Sequence, residues 1–207
     1  MSKISFVYFD VGGVAIQDFS DSPKWESMMD VMGIPNPRRE EFDQLYHEYD
    51  TQFCLGTHED TILPQIAAQF GLTLPEGFSM RRYFIDHFDS NPDLWPIVTQ
   101  LKHSMKLGLL TDQYPGMLKQ IFDKKILPPV SWDVIIDSTE VGARKPSPTI
   151  YQVAQAKSDV PAAEILFIDN REKNLVPARA LGWQTFLYDS SNYDQANRDL
   201  YATILSC

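Results

Sequence analysis

The chain has little cysteine, a deficit of basic charge and no long apolar run. Its 207 residues include two cysteines, Cys54 and Cys207. Two thiols without metal-ligand spacing make neither a metal cage nor a disulfide framework, so both are expected to be free in a reducing cytoplasm. Lysine and arginine number 18 against 28 aspartates and glutamates, a formal net charge of -10. That balance disfavours a nucleic-acid backbone or an anionic membrane as partner. A small anion can still bind at a local site built from backbone N–H groups, a lysine or a metal. No stretch approaches the ~20 apolar residues of a spanning helix. The N-terminus shows no basic segment followed by a long apolar run, so no signal peptide is expected. One further absence is a single side chain. FVYFDVGGVAI (6–16) is an apolar run that ends in Asp10, and two residues later, where a second acid could assist it, stands Gly12.

What is present suffices for a packed core, since 43% of the residues are hydrophobic. Five short apolar runs read as strands: ISFVYF (4–9), LGLL (107–110), VII (134–136), EILFI (164–168) and TFLY (185–188). Most are continuously apolar, as expected of strands covered on both faces. Helix-length segments such as PGMLKQIFDK, PTIYQVAQAK and NLVPARALG lie between the later runs. This alternation predicts an α/β fold with a doubly wound parallel sheet. The first gap, between strands one and two, is far too long for one crossover. It holds the helical patterns KWESMMDVMG, RREEFDQLYHEYDTQF, EDTILPQIAAQFG and SMRRYFIDHF. The expectation is an α/β core of residues 1–16 and 92–207, with a helical cap inserted over 17–91. The final run, DQANRDLYATILSC, reads as a terminal helix laid on the core, in a monomer or a homodimer.

Asp10, Thr111 and Asp169 each follow an apolar run directly, and Lys145 lies in a loop before a helix start. In a doubly wound sheet, ligands bind beyond the carboxyl ends of the strands where the strand order reverses. The order 3-2-1-4-5 would bring all four residues to that point. Singly, each has an ordinary reading as a turn former, a helix cap or a solvated charge.

Together, FDVGGV, LLTDQ, GARKPSPTIY and FIDNREKNLVPARALGW resemble, in order and spacing, the four motifs of the haloacid dehalogenase (HAD) superfamily. The resemblance is to its phosphatases with a helical cap inserted after the first motif, and LGTHEDTILPQIAAQFGL is similar to their cap turn and helix. It implies a Mg²⁺-dependent hydrolase of a small phosphorylated metabolite. Asp10 would be the nucleophile forming an aspartyl-phosphate. Thr111 and the backbone after it would donate to the phosphoryl oxygens, and Lys145 would balance charge. Asp10, the Gly12 carbonyl and Asp169 would hold Mg²⁺. Gly12 and Gly13 would let the backbone approach the ligand. Asp112 and Gln113 after the hydroxyl motif, with Tyr46 and Asp50 from the cap, are the candidate substrate contacts.

Gly12 departs from the commoner pattern, in which a second acid protonates the leaving group and then activates water. Such help is typically worth ~10²–10⁴-fold. Members with D-x-G in this motif act on sugar 1-phosphates such as α-D-glucose 1-phosphate, whose anomeric oxygen leaves more readily. Asn170 also departs, standing where paired acids are usual, and Asn174 is a candidate to support the site. Two other readings remain. One is a weakened, HAD-like binding or regulatory protein. The other is a 2-haloacid dehalogenase, which a metal-binding Asp169 and the lack of an aromatic cradle in DVGGV oppose.

Overall fold

A computed structural model describes residues 3–205. Its sheet has five strands: β1 (Phe6–Phe9), β2 (Lys106–Thr111), β3 (Val134–Asp137), β4 (Ile165–Asp169) and β5 (Gln184–Leu187). All neighbours pair in parallel, in the order β3-β2-β1-β4-β5, which is the expected one.

Side-chain alternation along β1 explains its continuous apolarity. Val7 and Phe9 point into one apolar cluster and Phe6 and Tyr8 into another, and all four are wholly buried. The second cluster is closed by α8 (Pro148–Ser158) and α9 (Glu172–Ala180), through Ile150, Tyr151, Leu175 and Ala178. The first is closed by α5 (Trp95–Lys102), α6 (Met117–Asp123) and α10 (Tyr193–Leu205). One short helix, α7 (Ser138–Val141), follows β3, with the Asp137 side chain accepting from the Thr139 N–H. The sequence reading did not single out α5, although Val98 and Leu101 at i, i+3 mark its buried face. Cys54 is free and buried, while Cys207 lies outside the described residues.

Between β1 and α5 the chain forms α1 (Pro23–Met32), α2 (Arg39–Cys54), α3 (Leu63–Phe70) and α4 (Met80–His87). Their ends carry local stop and start signals. Ser22 accepts from the Lys24 N–H at the start of α1, and Gly33 ends it in the left-handed region at φ 80°. Aromatic residues fill the space between these helices, with Phe42, Phe53 and Phe84 nearly or wholly buried. Glu59 and Arg81 form a buried ion pair beneath them. The two chain segments that join this region to the sheet run side by side. Ile16 bridges Ser90, and the Gln17 N–H donates to the Asp89 carbonyl at 2.9 Å.

Candidate active site

The carboxyl ends of β1, β2 and β4 open toward a cavity of about 430 Å³, bounded on its far side by α2 and α4. Its floor is a three-residue charge cluster. The Lys145 ammonium lies 2.8 Å from Asp10 Oδ2 and 2.7 Å from Asp169 Oδ2. All three side chains are nearly or wholly buried. Asp10 Oδ1 also accepts from the Val11 N–H at 2.7 Å. Burial, with the Asp169 charge adding to it, raises the Asp10 carboxyl to about 7 against the opposing pull of Lys145. Burial by itself would lower Lys145, but the charges of Asp10 and Asp169 outweigh it and hold the amine protonated.

The expected residues divide into two groups. Asp10, Gly12, Asp112, Gln113, Lys145, Tyr46 and Asp50 line the cavity. Asp169 and Thr111 are close by but are not among its lining residues. Asp169 is fully buried, and both of its oxygens are engaged. They accept from Lys145, from Asn174 Nδ2 at 3.0 Å to each oxygen, and from the Arg171 N–H at 2.8 Å. This is the setting of a group that anchors a lysine, and it differs from the one expected of a metal ligand. The Thr111 hydroxyl, 1% exposed, accepts from the Gln113 side-chain amide at 3.0 Å. Asn174 supports the cluster through Asp169. Of the acids that could face the cavity at the end of β4, the sequence supplies an amide, Asn170, whose Nδ2 donates to Asp18 Oδ2 at 3.0 Å.

The two glycines after Asp10 prove unlike each other. Gly13 has φ 77°, and a Cβ there would overlap the Asn170 carboxamide. Gly13 is required by the backbone and by this close approach. A Cβ at Gly12 would meet nothing within 4 Å, and its φ is not in the left-handed region. Gly12 therefore leaves space in the cavity lining that a side chain could occupy.

The wall opposite the floor is a hydrogen-bonded chain that crosses from α2 to the sheet. Tyr46 Oη and Tyr114 Oη lie 2.7 Å apart, and the Tyr114 hydroxyl donates to Asp50 Oδ1 at 3.0 Å. Arg144 Nη1 pairs with Asp50 Oδ2 at 2.8 Å, and its Nε lies 3.6 Å from Asp112 Oδ2. The Ser138 hydroxyl adds a donation to the Cys54 carbonyl at 2.7 Å. Burial raises both tyrosine hydroxyls well above their ordinary range, so they act as neutral donors and acceptors. Tyr114 and Arg144 were not singled out from the sequence. Each adjoins a motif, Tyr114 one residue past LLTDQ and Arg144 just before Lys145. Two further aromatics of α2, Tyr49 and Phe53, stack on each other, with Tyr49 Oη donating to Gln65 Oε1 at 2.6 Å.

Lining acids outnumber lining bases. Asp10, Asp18, Asp21, Asp43, Asp50 and Asp112 face Arg144, Lys145, Arg171 and Lys173. Among the described residues, no three His, Cys, Asp or Glu side chains are grouped so as to hold a metal ion. The cavity does offer hard oxygen donors in the Asp10 carboxylate, the Gly12 backbone and the Asn170 carboxamide. A set with one carboxylate suits Mg²⁺ that keeps several waters and takes further ligands from a substrate phosphate.

No family model matches the chain. It is 29% identical over 144 residues, 65% of its length, to pig (Sus scrofa) bifunctional epoxide hydrolase 2. The chain spans about a quarter of the curated relatives it matches, the aligned part being 25% of the pig protein. Among solved structures it is similar to a HAD family enzyme of Bacteroides thetaiotaomicron, with TM-score 0.72, 18% identity and coverage of 92% of this chain and 96% of that one. That enzyme has also been solved with magnesium and inorganic phosphate. The L-2-haloacid dehalogenase RSc1362 superposes with TM-score 0.74 at 20% identity, over 99% of this chain and all of that one. The fold is thus that of the HAD enzymes, shared by one solved with magnesium and inorganic phosphate and by an L-2-haloacid dehalogenase.

Proposed function

We propose that this chain is a HAD-type hydrolase that cleaves a small phosphate monoester through Asp10, with residues 17–91 acting as the cap over the site. The observation that carries this reading is the floor cluster. A carboxylate at the end of the central strand faces the cavity, its far side fixed by Lys145, which Asp169 and Asn174 fix in turn. A nucleophile needs such rigidity, because in-line attack tolerates little angular freedom. Asp10 attacks phosphorus, and Lys145 balances the charge of the carboxylate and the phosphoryl group. The closed α2 wall keeps bulk water from the aspartyl-phosphate until the leaving group has departed.

A phosphate dianion entering a cavity richer in acids than bases needs added positive charge. Mg²⁺, held by Asp10, the Gly12 carbonyl and Asn170, would supply that charge and polarise the phosphoryl group. Here Asn170 takes the place first expected of Asp169. The substrate class follows from Gly12. Without an acid at that position, substrates whose oxygen leaves readily are favoured, such as sugar 1-phosphates. Tyr46 and Asp50, with Gln113, are the polar groups at hand for sugar hydroxyls.

The dehalogenase reading keeps some support. The burial of Asp169 removes the argument that its charge would repel a haloacid. Against it, Arg144 and Lys145 are already paired with aspartates, and the other lining cations, Arg171 and Lys173, are solvent-exposed.

The test is hydrolysis of 4-nitrophenyl phosphate with and without Mg²⁺, beside Asp10→Asn, with 2-chloropropionate in parallel. Metal-dependent phosphate release that vanishes in Asp10→Asn is the expected result. Chloride release without phosphate release would replace this reading by the dehalogenase. Neither activity, in a folded protein, would leave a binding role.

A further inference from the structure

A carboxylate beside the path of a phosphate dianion is repelled unless it carries a proton, and a protonated one becomes a donor. Asp112 is in that position. It follows β2, which pairs with β1 so that Leu109 lies beside Phe9. In that pairing the carboxyl end of β2, where Asp112 follows Thr111, lies beside the carboxyl end of β1, where Asp10 follows Phe9. Its side chain lines the same cavity as Asp10. The space left open at Gly12 lies in the same cavity lining, and the neighbouring strand end carries the acid that position 12 lacks.

The other cavity acids are committed. Asp50 is held by Arg144 at 2.8 Å and by Tyr114 at 3.0 Å. Asp18 takes the Asn170 amide at 3.0 Å and the Asp21 N–H at 3.1 Å. Asp43 takes the Trp25 indole at 2.7 Å. Asp112, like Asp43, has only one oxygen hydrogen-bonded, but of the two it is the one that follows a strand end beside Asp10. Oδ1 accepts from the Lys145 N–H at 2.9 Å, whereas Oδ2 has a single distant contact, Arg144 Nε at 3.6 Å.

We propose that Asp112 is a catalytic residue of this site, the group that protonates the leaving oxygen and then takes a proton from the attacking water. The proposal rests on the phosphatase reading above. In the first step the Asp10 oxygen–phosphorus bond forms, the bond from phosphorus to the leaving oxygen breaks, and the Asp112 proton goes to that oxygen. In the second, water attacks phosphorus, its proton returns to Asp112, and Asp10 is released as phosphate departs. The net reaction consumes only ester and water.

The charges around Asp112 suit a group that must hold and release a proton. Burial raises its carboxyl, Lys145 and Arg144 pull it down, and Asp169 from β4 pushes it up. Asp10 on β1 and Asp112 repel each other as anions. An arriving dianion would raise Asp112 further.

The experiment compares wild type, Asp112→Asn, Gly12→Asp and the double variant on aryl phosphates from 2,4-dinitrophenyl to phenyl, in Mg²⁺ buffer. Asparagine keeps an acceptor for the Lys145 N–H but carries no transferable proton. The expected result for Asp112→Asn is a fall in kcat/KM of about 10²–10³-fold on phenyl phosphate and under about tenfold on the dinitrophenyl ester. On the dinitrophenyl ester a burst of phenolate should precede slow turnover, because phosphoenzyme accumulates. Gly12→Asp, which has room, should restore the phenyl ester in the double variant. Equal losses on all esters, or none, would overturn the role of Asp112 while leaving the phosphatase standing. No Mg²⁺-dependent turnover in wild type or Gly12→Asp would overturn both.

Discussion

The floor and the wall of the cavity are built by different means. The floor is three buried charges: Asp10 and Asp169 are set by the register of β1 and β4, and Lys145 reaches them from the loop between α7 and α8. The wall is a chain of buried and partly buried groups, Tyr46, Tyr114, Asp50 and Arg144, that meet only because α2 folds back over the sheet. The hydroxyl pair at its centre joins residues 68 apart in sequence. A site of this kind separates chemistry from selection. In the proposed reaction the rigid part holds Asp10, and the part made of long-range contacts can change without disturbing it.

The contrast is broken most severely at Lys145. Lys145→Met leaves two buried carboxylates without their ammonium, and breaking a buried pair in this way costs about 3–5 kcal/mol. Denaturant titration should show that loss, together with loss of turnover. A pH series on the wild type reads the same cluster more gently. The folded Asp10 carboxyl is raised from 3.8 to about 7, so the folded protein holds this proton more tightly than the unfolded chain. The stability this contributes is full below about pH 4 and is lost as pH rises through about 7. Asp10→Asn should flatten that part of the stability–pH curve. A slope of the opposite sign would show that the ion pair, not burial, governs Asp10.

The two glycines give the next comparison. Gly13→Ala should cost about 1–3 kcal/mol, from its positive φ and the overlap with Asn170. On the wall, Tyr114→Phe should cost about 1–2 kcal/mol in stability, since Asp50 loses a donor and Tyr46 a partner. It should raise KM more than it lowers kcat. A fall in kcat alone would mean the wall belongs to the chemistry. Gly12→Ala should leave the thermal midpoint nearly unchanged, within about 0.5 kcal/mol.

Much of this was legible beforehand because strands and motifs are local in sequence. Each of the five strands lies within two residues of its apolar run at both ends, since a strand buried on both faces must be apolar throughout. Position after a strand located Asp10, Thr111 and Asp169 near one another, and Lys145 was placed with them as a loop lysine before a helix start. It did not distinguish a residue that faces the cavity from one beneath it. That depends on which way a side chain turns at a strand end, and Asp169 turned inward to Lys145 and Asn174. Nor could spacing tell Gly12 from Gly13, because their difference lies in φ and in a neighbour 157 residues away, Asn170.

The sequence by itself determined the strand positions, the parallel α/β class, the helical segment between β1 and α5, and the identity of the nucleophile candidate. Periodicity, connection length and motif order are properties of the chain, and they constrain topology directly. Tertiary structure alone decided which acids reach the cavity, that Asp169 serves Lys145, and that Tyr114 and Arg144 tie α2 to the core. Those outcomes depend on burial and on partners brought from distant segments. A carboxylate becomes an anchor, a ligand or a proton carrier according to which donors surround it in space.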